Sequence, residues 1–336
     1  MPNNQTQNRK DSHLSIVLDN DVVGRASQWD QYRLPIKSLP EVDLAEIDTS
    51  TDFFGKRLSF PFLISSMTGG TEKAAIINEN LAKAAQTTKV ALGLGSMRII
   101  LENPDSVKSF QVRKWCPDIP LFANLGLVQL NYGVTIGQVR HLVDIVEADG
   151  IFLHINPMQE AIQPEGDTNF SDLLKKLELL INKLDRPIIV KEVGNGFDKQ
   201  TMKNLSEIGI TWLDTAGAGG TSWVRVEGYR RGNSLGELFS SEAIPTDEVL
   251  KTAVAIAPKL NMIASGGIRS GIDGTKAMML GAKMFACATP LLKPTLKGME
   301  KVEEKLCSIR EEFRIAMFAC GLKTISDFNY QLIEKN

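Results

Sequence analysis

Histidine is scarce in this chain: three in 336 residues, at positions 13, 141 and 154. So few, with no Cys/His cluster, exclude a Cys/His metal site, and no Ser–His–Asp constellation is evident. Cysteine is also sparse. Cys116, Cys287, Cys307 and Cys320 are scattered, with none at metal-ligand or CxxC spacing, which predicts inert thiols and a reducing, cytoplasmic setting. Long apolar runs are missing. The N-terminal MPNNQTQNRKDSHLSIVLDN has no stretch of signal-peptide length, and no segment approaches the ~20 apolar residues of a membrane span. Excess charge of either sign is missing too. A formal charge of −2 gives no global attraction to nucleic acid or to an anionic membrane.

What the chain does have is a repeating beat. Eight short apolar segments, FPFLISSMTGG (60–70), VALGLGSMR (90–98), IPLFANLG (119–126), GIFLHIN (150–156), RPIIVKEVGNG (186–196), ITWLDTAGAGG (210–220), LNMIASGGIRSG (260–271) and AKMFACATPLL (282–292), each begin as a buried strand and run into polar or glycine-rich residues. Near-continuous apolar strands are the mark of a parallel sheet covered on both faces.

Helical stripes lie between them. Ile136, Val139, Leu142, Val143 and Val146 share a face over 135–149, as do Leu173, Leu174, Leu177, Leu180, Ile181 and Leu184 over 171–185. Residues 72–86 are alanine-rich with Ile77, Leu81 and Ala85 aligned. In 246–257, Thr246 is placed as N-cap with Asp247 and Glu248 in the first turn. Val302, Leu306, Ile309, Phe313 and Met317 predict a final amphipathic helix over 298–320.

The count and size predict an α/β fold, a (β/α)8 TIM barrel over 59–336, preceded by a polar N-terminal extension, 1–58. A doubly wound open sheet is the alternative, weakened because no GxGxxG opens the first unit. The extension reads either as a disordered tail or as a substrate-covering segment. About 25 residues separate strand six from its helix, a length that reads as a functional or mobile loop.

In a barrel, the polar residues just past each strand share one end. Here they include Thr68, Ser96, Arg98, Asn124, His154, Asn156, Gln159, Glu160, Lys191, Thr215, Thr221, Arg269 and Thr289. ASGGIRSG (264–271) reads either as a phosphate-binding glycine loop before a helix or as an ordinary glycine turn. Lys191 closes an apolar run and would need an anionic partner. Asn124 can both donate and accept in one plane, as a heterocycle edge requires, or can simply serve the turn before Gly126.

These segments together resemble a known family. MTGG, LGSMR, ANLG, HINPMQE, KEVGNG, GAGGTSW and ASGGIRSG, with the N-terminal RKDSHL (9–14), resemble in order and spacing the type 2 isopentenyl-diphosphate Δ-isomerases, over nearly the whole chain. The pair RKxxH and HxNxxQE is the specific part of the likeness. The resemblance implies an FMN-dependent barrel that interconverts isopentenyl and dimethylallyl diphosphate in isoprenoid biosynthesis. It implies reduced FMN, Mg2+, NADPH as flavin reductant, and a homotetramer or homo-octamer.

By the same resemblance, Ser66, Met67 and Thr68 line the flavin, and Ser96, Asn124, Lys191 and Thr221 hydrogen-bond it. Gly267, Ile268 and Arg269, with Ala288 and Thr289, hold its phosphate. Arg9, Lys10, His13, Ser96, Arg98, His154, Asn156 and Gln159 surround the substrate, and Glu160 ligates Mg2+. Gln159, Glu227 and His154 are the candidates for proton handling. The sequence departs from the family pattern at Met97, where glutamine is common, and at SSEAIPT (240–246), which ends the long loop.

Three other readings meet difficulties in the residues. An FMN-dependent 2-hydroxy-acid oxidase needs a histidine base after strand six, where this chain has Ala218 and no histidine follows position 154. An inosine-monophosphate-dehydrogenase-like enzyme needs a nucleophilic cysteine in a loop at the active end, whereas Cys287 falls inside a strand. A non-catalytic flavin- or diphosphate-binding protein would have no use for Gln159 and Glu160 beside His154.

Overall fold

The computed structural model describes residues 3–330, 333 and 335. Among the described residues ten strands form: β1 (Thr51–Phe53), β2 (Lys56–Leu58), β3 (Phe62–Ile64), β4 (Ala91–Gly93), β5 (Leu121–Gly126), β6 (Gly150–His154), β7 (Ile188–Lys191), β8 (Trp212–Asp214), β9 (Asn261–Ala264) and β10 (Met284–Cys287). Strands β3 to β10 close a parallel barrel in sequence order, with Phe285 of β10 opposite Phe62 of β3 at the seam. All eight barrel strands fall within the segments expected from the sequence. The α/β barrel is therefore the fold, and the open-sheet alternative is excluded by the closure.

The helices are α1 (Asn3–Asp19), α2 (Glu72–Thr88), α3 (Arg98–Glu102), α4 (Ile136–Ile145), α5 (Pro157–Ile162), α6 (Leu173–Lys183) and α7 (Lys199–Glu207). They continue with α8 (Trp223–Arg231), α9 (Leu235–Ser240), α10 (Thr246–Ile256), α11 (Gly271–Met279), α12 (Thr289–Thr295) and α13 (Met299–Cys320). The stripes read from the sequence bury as expected, except that Ile136 and Ile181 are half-buried and Leu174 of α6 is exposed. Side chains set several of the helix starts. Thr71 accepts from the Ala74 amide to open α2, and Thr135 and Gln138 form a capping box at α4.

Thr246 is not the N-cap of α10. Pro245 holds that position. The Thr246 hydroxyl instead donates to the carbonyls of Ser265 (2.7 Å) and Gly266 (3.1 Å). These carbonyls flank the loop after β9, so the hydroxyl serves the barrel rim in place of its own helix. The long segment after β8 is not structureless either. It carries α8 and α9, and its end packs back on the rim, where Ile244 N donates to Asn195 O and Ala218 N to Ile244 O. No helix among the described residues is long and apolar enough to cross a membrane. Burial raises Cys116 and Cys320 to about 11 and Cys287 to about 12, which keeps these thiols protonated and inert.

Residues 3–58 are folded onto the barrel. Helix α1 buries Leu14 and directs Lys10 and His13 toward the cavity described below. Trp29 is fully buried, and its indole donates to Gly266 O at 3.3 Å. The β1–β2 hairpin, turning at Phe54–Gly55, plugs the barrel. Phe53 meets Phe54, Trp212 and Phe122 at ring-centroid distances of 4.7, 4.9 and 5.6 Å. It shares one apolar cluster with interior residues such as Leu63, Phe152 and Ile263. Phe53→Ala is expected to destabilise the protein by about 3–5 kcal/mol in urea unfolding, because the ring leaves a void that its aromatic neighbours cannot fill. A loss below about 1 kcal/mol would show that the hairpin is not part of the barrel core.

Candidate active site

One cavity opens at the C-terminal end of the strands and gathers residues from every part of the chain. Its wall includes Arg9, Lys10 and His13 of α1, Ser66, Met67 and Thr68 after β3, and Ser96 and Arg98 after β4. It also includes Asn124, His154, Asn156, Gln159, Glu160, Lys191, Thr221, Ala288 and Thr289. An adjoining cleft shares Ser66, Lys191, Thr221, Ala288 and Thr289, and adds Gly267, Ile268 and Arg269. The two form one trough across the barrel end.

The central residues stand in register. His154 of β6 pairs with Gly126 of β5 on one side and Lys191 of β7 on the other. Parallel strands therefore deliver them side by side to one level. Gly126 matters by its size, because a Cβ there would stand 3.0 Å from His154 Nε2. Asn124 donates to Ser66 Oγ at 2.9 Å, which leaves its carbonyl oxygen to accept from His154 Nδ1 at 2.8 Å. That assignment puts the histidine proton on Nδ1 and a lone pair on Nε2. Burial, with the charges of Lys191 and Lys10, lowers His154 to about 3, so the ring is neutral.

Lys191 is buried and donates to Glu192 O at 2.5 Å. The Glu192 carboxylate accepts from the backbone amides of Val193 (2.6 Å), Gly194 (2.8 Å) and Asn195 (2.5 Å), which fixes the loop that carries the lysine. Burial raises Glu192 to about 7 against these bonds. Lys10 donates to Ser96 O at 2.8 Å, and burial lowers its ammonium to about 7. An anion in the cavity would return its full charge.

Glu160 is buried on α5. Its two oxygens accept from Asn156 Nδ2 and the Asp167 amide, both at 2.8 Å. Burial pushes its carboxyl up despite these donors. Asn156 Oδ1 is buried beside it and has no partner. Arg98 is paired with Asp167 and with Glu102 (2.8 Å). Among the described residues, no group of three or more His, Cys, Asp or Glu stands close enough to hold a metal alone.

Three of the sequence-derived residues take positions that their strand-end spacing did not show. Glu227 is fully buried and lies behind the wall, where its Oε1 accepts from His13 Nε2 (2.8 Å) and Gln159 Nε2 (3.2 Å). Arg269 turns its guanidinium onto Asp30 (2.5 and 2.9 Å) and Asp273 (3.1 Å). Ile268 buries its side chain in the core, so only its backbone is available to a ligand.

The structure adds wall residues that sequence reasoning missed: Gln129, Gln163, Val193 and Trp223. Gln163 lies one helical turn past Gln159, so an i,i+4 search from that residue finds it. Trp223 sits edge-on to His13, with ring centroids 5.0 Å apart.

Comparison with known proteins places this architecture. Residues 153–335 match the FMN-dependent dehydrogenase family. The isopentenyl-diphosphate delta-isomerase of Rickettsia akari is 45% identical over 334 residues, covering 97% of this chain and 98% of that protein. The enzyme of the same name from Synechocystis sp. is 46% identical over 327 residues, covering 96% and 94%. Among solved structures, a flavocytochrome b2 with sulfite bound superposes with a TM-score of 0.68 at 19% identity, covering 95% of this chain and 81% of that one. A mandelate oxidase carrying an FMN adduct gives 0.65 at 17%, covering 92% and 89%. At those identities the two structures share the fold with this chain.

Proposed function

The chain belongs to the isopentenyl-diphosphate delta-isomerase family, and from that premise we propose that it interconverts isopentenyl and dimethylallyl diphosphate using reduced FMN and Mg2+. One observation carries the reading. Helix α1 brings Arg9, Lys10 and His13 to the same cavity that holds His154, Asn156, Gln159 and Glu160, next to the trough lined by Ser66, Asn124, Lys191 and Thr221. A diphosphate subsite and a heterocycle subsite thus share one wall.

The trough fits FMN on its own chemistry. The loops after β8 and β9 face each other through glycines, and a Cβ on Gly220 would stand 2.9 Å from Gly267 N. That cradle leaves backbone amides accessible to a phosphate. Gly267, Ile268, Ala288 and Thr289 would hold it, Thr221 and Thr289 being joined at 2.6 Å. Arg269 would contribute by charge from its pairs with Asp30 and Asp273. Ser65 Oγ, buried and without a partner, lines the same cleft. Met67, Thr68 and Ser96 would border the ring, and Asn124 and Lys191 would meet its polar edge.

Bound reduced flavin would supply an electron-rich ring and an N5 proton for moving the double bond, chemistry that no side chain here offers to an alkene. The protein's part is to bind the diphosphate, set the alkene and exclude water. A diphosphate carries about three negative charges, which Arg9, Lys10 and Arg98 would answer together with Mg2+. Glu160 and the unpartnered Asn156 Oδ1 are hard oxygen donors, and a single carboxylate with substrate oxygens suits Mg2+. Neutral His154 offers a lone pair at Nε2 and no positive charge. Gln159 touches the cavity and also Glu227, so a proton arriving at Gln159 or His13 has a buried carboxylate behind it. NADPH would reduce the flavin while the overall reaction stays redox-neutral.

An oxidase reading finds no support at Ala218, which is buried where that chemistry needs a base. The deciding experiment incubates the purified protein anaerobically with FMN, NADPH, Mg2+ and isopentenyl diphosphate. Proton NMR is expected to show dimethylallyl diphosphate. Absence of that product with the flavin fully reduced rejects the reading.

A further inference from the structure

Arg230 of α8 lines neither the cavity nor the adjoining cleft, yet it closes a ring of charge behind the cavity wall. Arg9 and His13 lie four residues apart on α1 and so share one face. Arg9 Nη1 is 3.9 Å from Glu165 Oε1. That oxygen accepts from Arg230 Nη2 at 2.6 Å. The other arm of the same guanidinium, Nη1, donates to Glu227 Oε2 at 2.5 Å. Glu227 Oε1 accepts from His13 Nε2, which returns the circuit to α1. Gln163 sits inside it: oriented to satisfy its neighbours, its amide donates to Glu227 (3.1 Å) and accepts from Arg9 (3.0 Å).

We infer that Arg230 is a positioning residue whose fork holds Glu227 and Glu165, and through them seats His13 and Arg9 against the substrate. Only the word substrate rests on the proposed function. The circuit itself rests on the distances.

Two physical points give Arg230 this task. First, Glu227 is fully buried, and an unpaired carboxylate there would be costly. Burial raises Glu227, but bonding from His13 and the charge of Arg230 carry it below the usual range. Burial lowers His13, whereas the Arg230 guanidinium is a permanent cation in direct contact with Glu227. Second, one planar guanidinium spans two carboxylates on separate elements, α8 and the loop after α5. A lysine ammonium is a single point on a flexible stem and cannot keep that fork.

The test uses the full-length FMN-loaded protein. Arg230→Gln is expected to speed amide hydrogen exchange over 9–19 by about tenfold or more, with exchange in the barrel strands unchanged. It is also expected to raise KM for isopentenyl diphosphate by a similar factor while flavin content stays as in the parent. Arg230→Lys should fall between the two, since it keeps one contact. Glu165→Gln, a change at a partly exposed side chain, should move both readouts in the same direction, and the double variant should add little to Arg230→Gln alone.

Unchanged exchange over 9–19 in both variants overturns the inference. So does exchange that rises equally in the barrel strands, which marks a merely structural residue. The two readings fail separately. If the parent protein makes no dimethylallyl product but Arg230→Gln still frees α1, the proposed function falls and the positioning role stands. If the parent turns over and Arg230→Gln matches it in exchange and KM, the positioning role alone falls.

Discussion

Glu160→Gln is expected to lower kcat/KM for isopentenyl diphosphate by about a hundredfold or more at fixed Mg2+, with the flavin absorbance of the purified protein retained. The substitution keeps the side chain's size and removes its charge. A neutral amide is a poor Mg2+ ligand, so the half-saturating Mg2+ concentration should rise as kcat/KM falls. A second loss follows from the hydrogen bonds. Both Glu160 oxygens already accept, one from Asn156 Nδ2 and one from the Asp167 amide. A glutamine must turn its NH2 toward one of these donors, which loses that buried hydrogen bond. The Asp167 side of the network carries Arg98, so the proposed diphosphate subsite would loosen too. The proposed flavin contacts lie on other elements, chiefly β5, β7 and the loop after β9, and should not respond. An Mg2+ titration like the parent's, or loss of flavin, would show that the carboxylate has another job.

The barrel was legible because each strand is a short apolar run ending in polar or glycine residues, and those ends fall in line when parallel strands register. His154 and Lys191 illustrate it: each ends its strand, and they are direct register partners. The hairpin of β1 and β2 was not legible. Phe53 and Phe54 sit between Thr51–Asp52 and Gly55–Lys56, and only contact with Trp212 and Phe122 reveals Phe53 as core. Most wall residues were found by strand-end position together with the family likeness. Behind the wall, Glu227 came from the likeness alone, and Glu165 and Arg230 were not found, since they lie 65 positions apart and meet only after folding. Thr246 shows the same limit on a smaller scale. Its sequence context fits a cap, and two rim carbonyls outcompete that role. Arg269 follows the phosphate-loop pattern, but Asp30, far upstream, claims part of its guanidinium.

Gly266→Ala is expected to yield protein that no longer retains FMN, with stability lowered by about 2–5 kcal/mol. The backbone at Gly266 has φ +99°, where a side chain is strained. Space is lacking as well. A Cβ there would collide with Gly217 O and stand 2.7 Å from Thr246 Oγ1. Those atoms are rim backbone and a hydroxyl already bonded to Ser265 O and Gly266 O, so neither yields cheaply. The Gly266 carbonyl also takes the Trp29 indole and Gln28 amide, which tie the N-terminal segment to this loop. Relief must therefore move the loop after β9 against the loop after β8, the two surfaces proposed to cradle the flavin phosphate. Gly232→Ala separates this from backbone strain alone. It has a positive φ of +69° but nothing within 4 Å of the added carbon. It should cost about 1 kcal/mol and keep the flavin. Flavin affinity in Gly266→Ala equal to that of Gly232→Ala would place the phosphate elsewhere. Gly267→Ala, where the nearest atom to the new carbon is Gly219 O at 3.1 Å, provides a milder step should Gly266→Ala fail to fold.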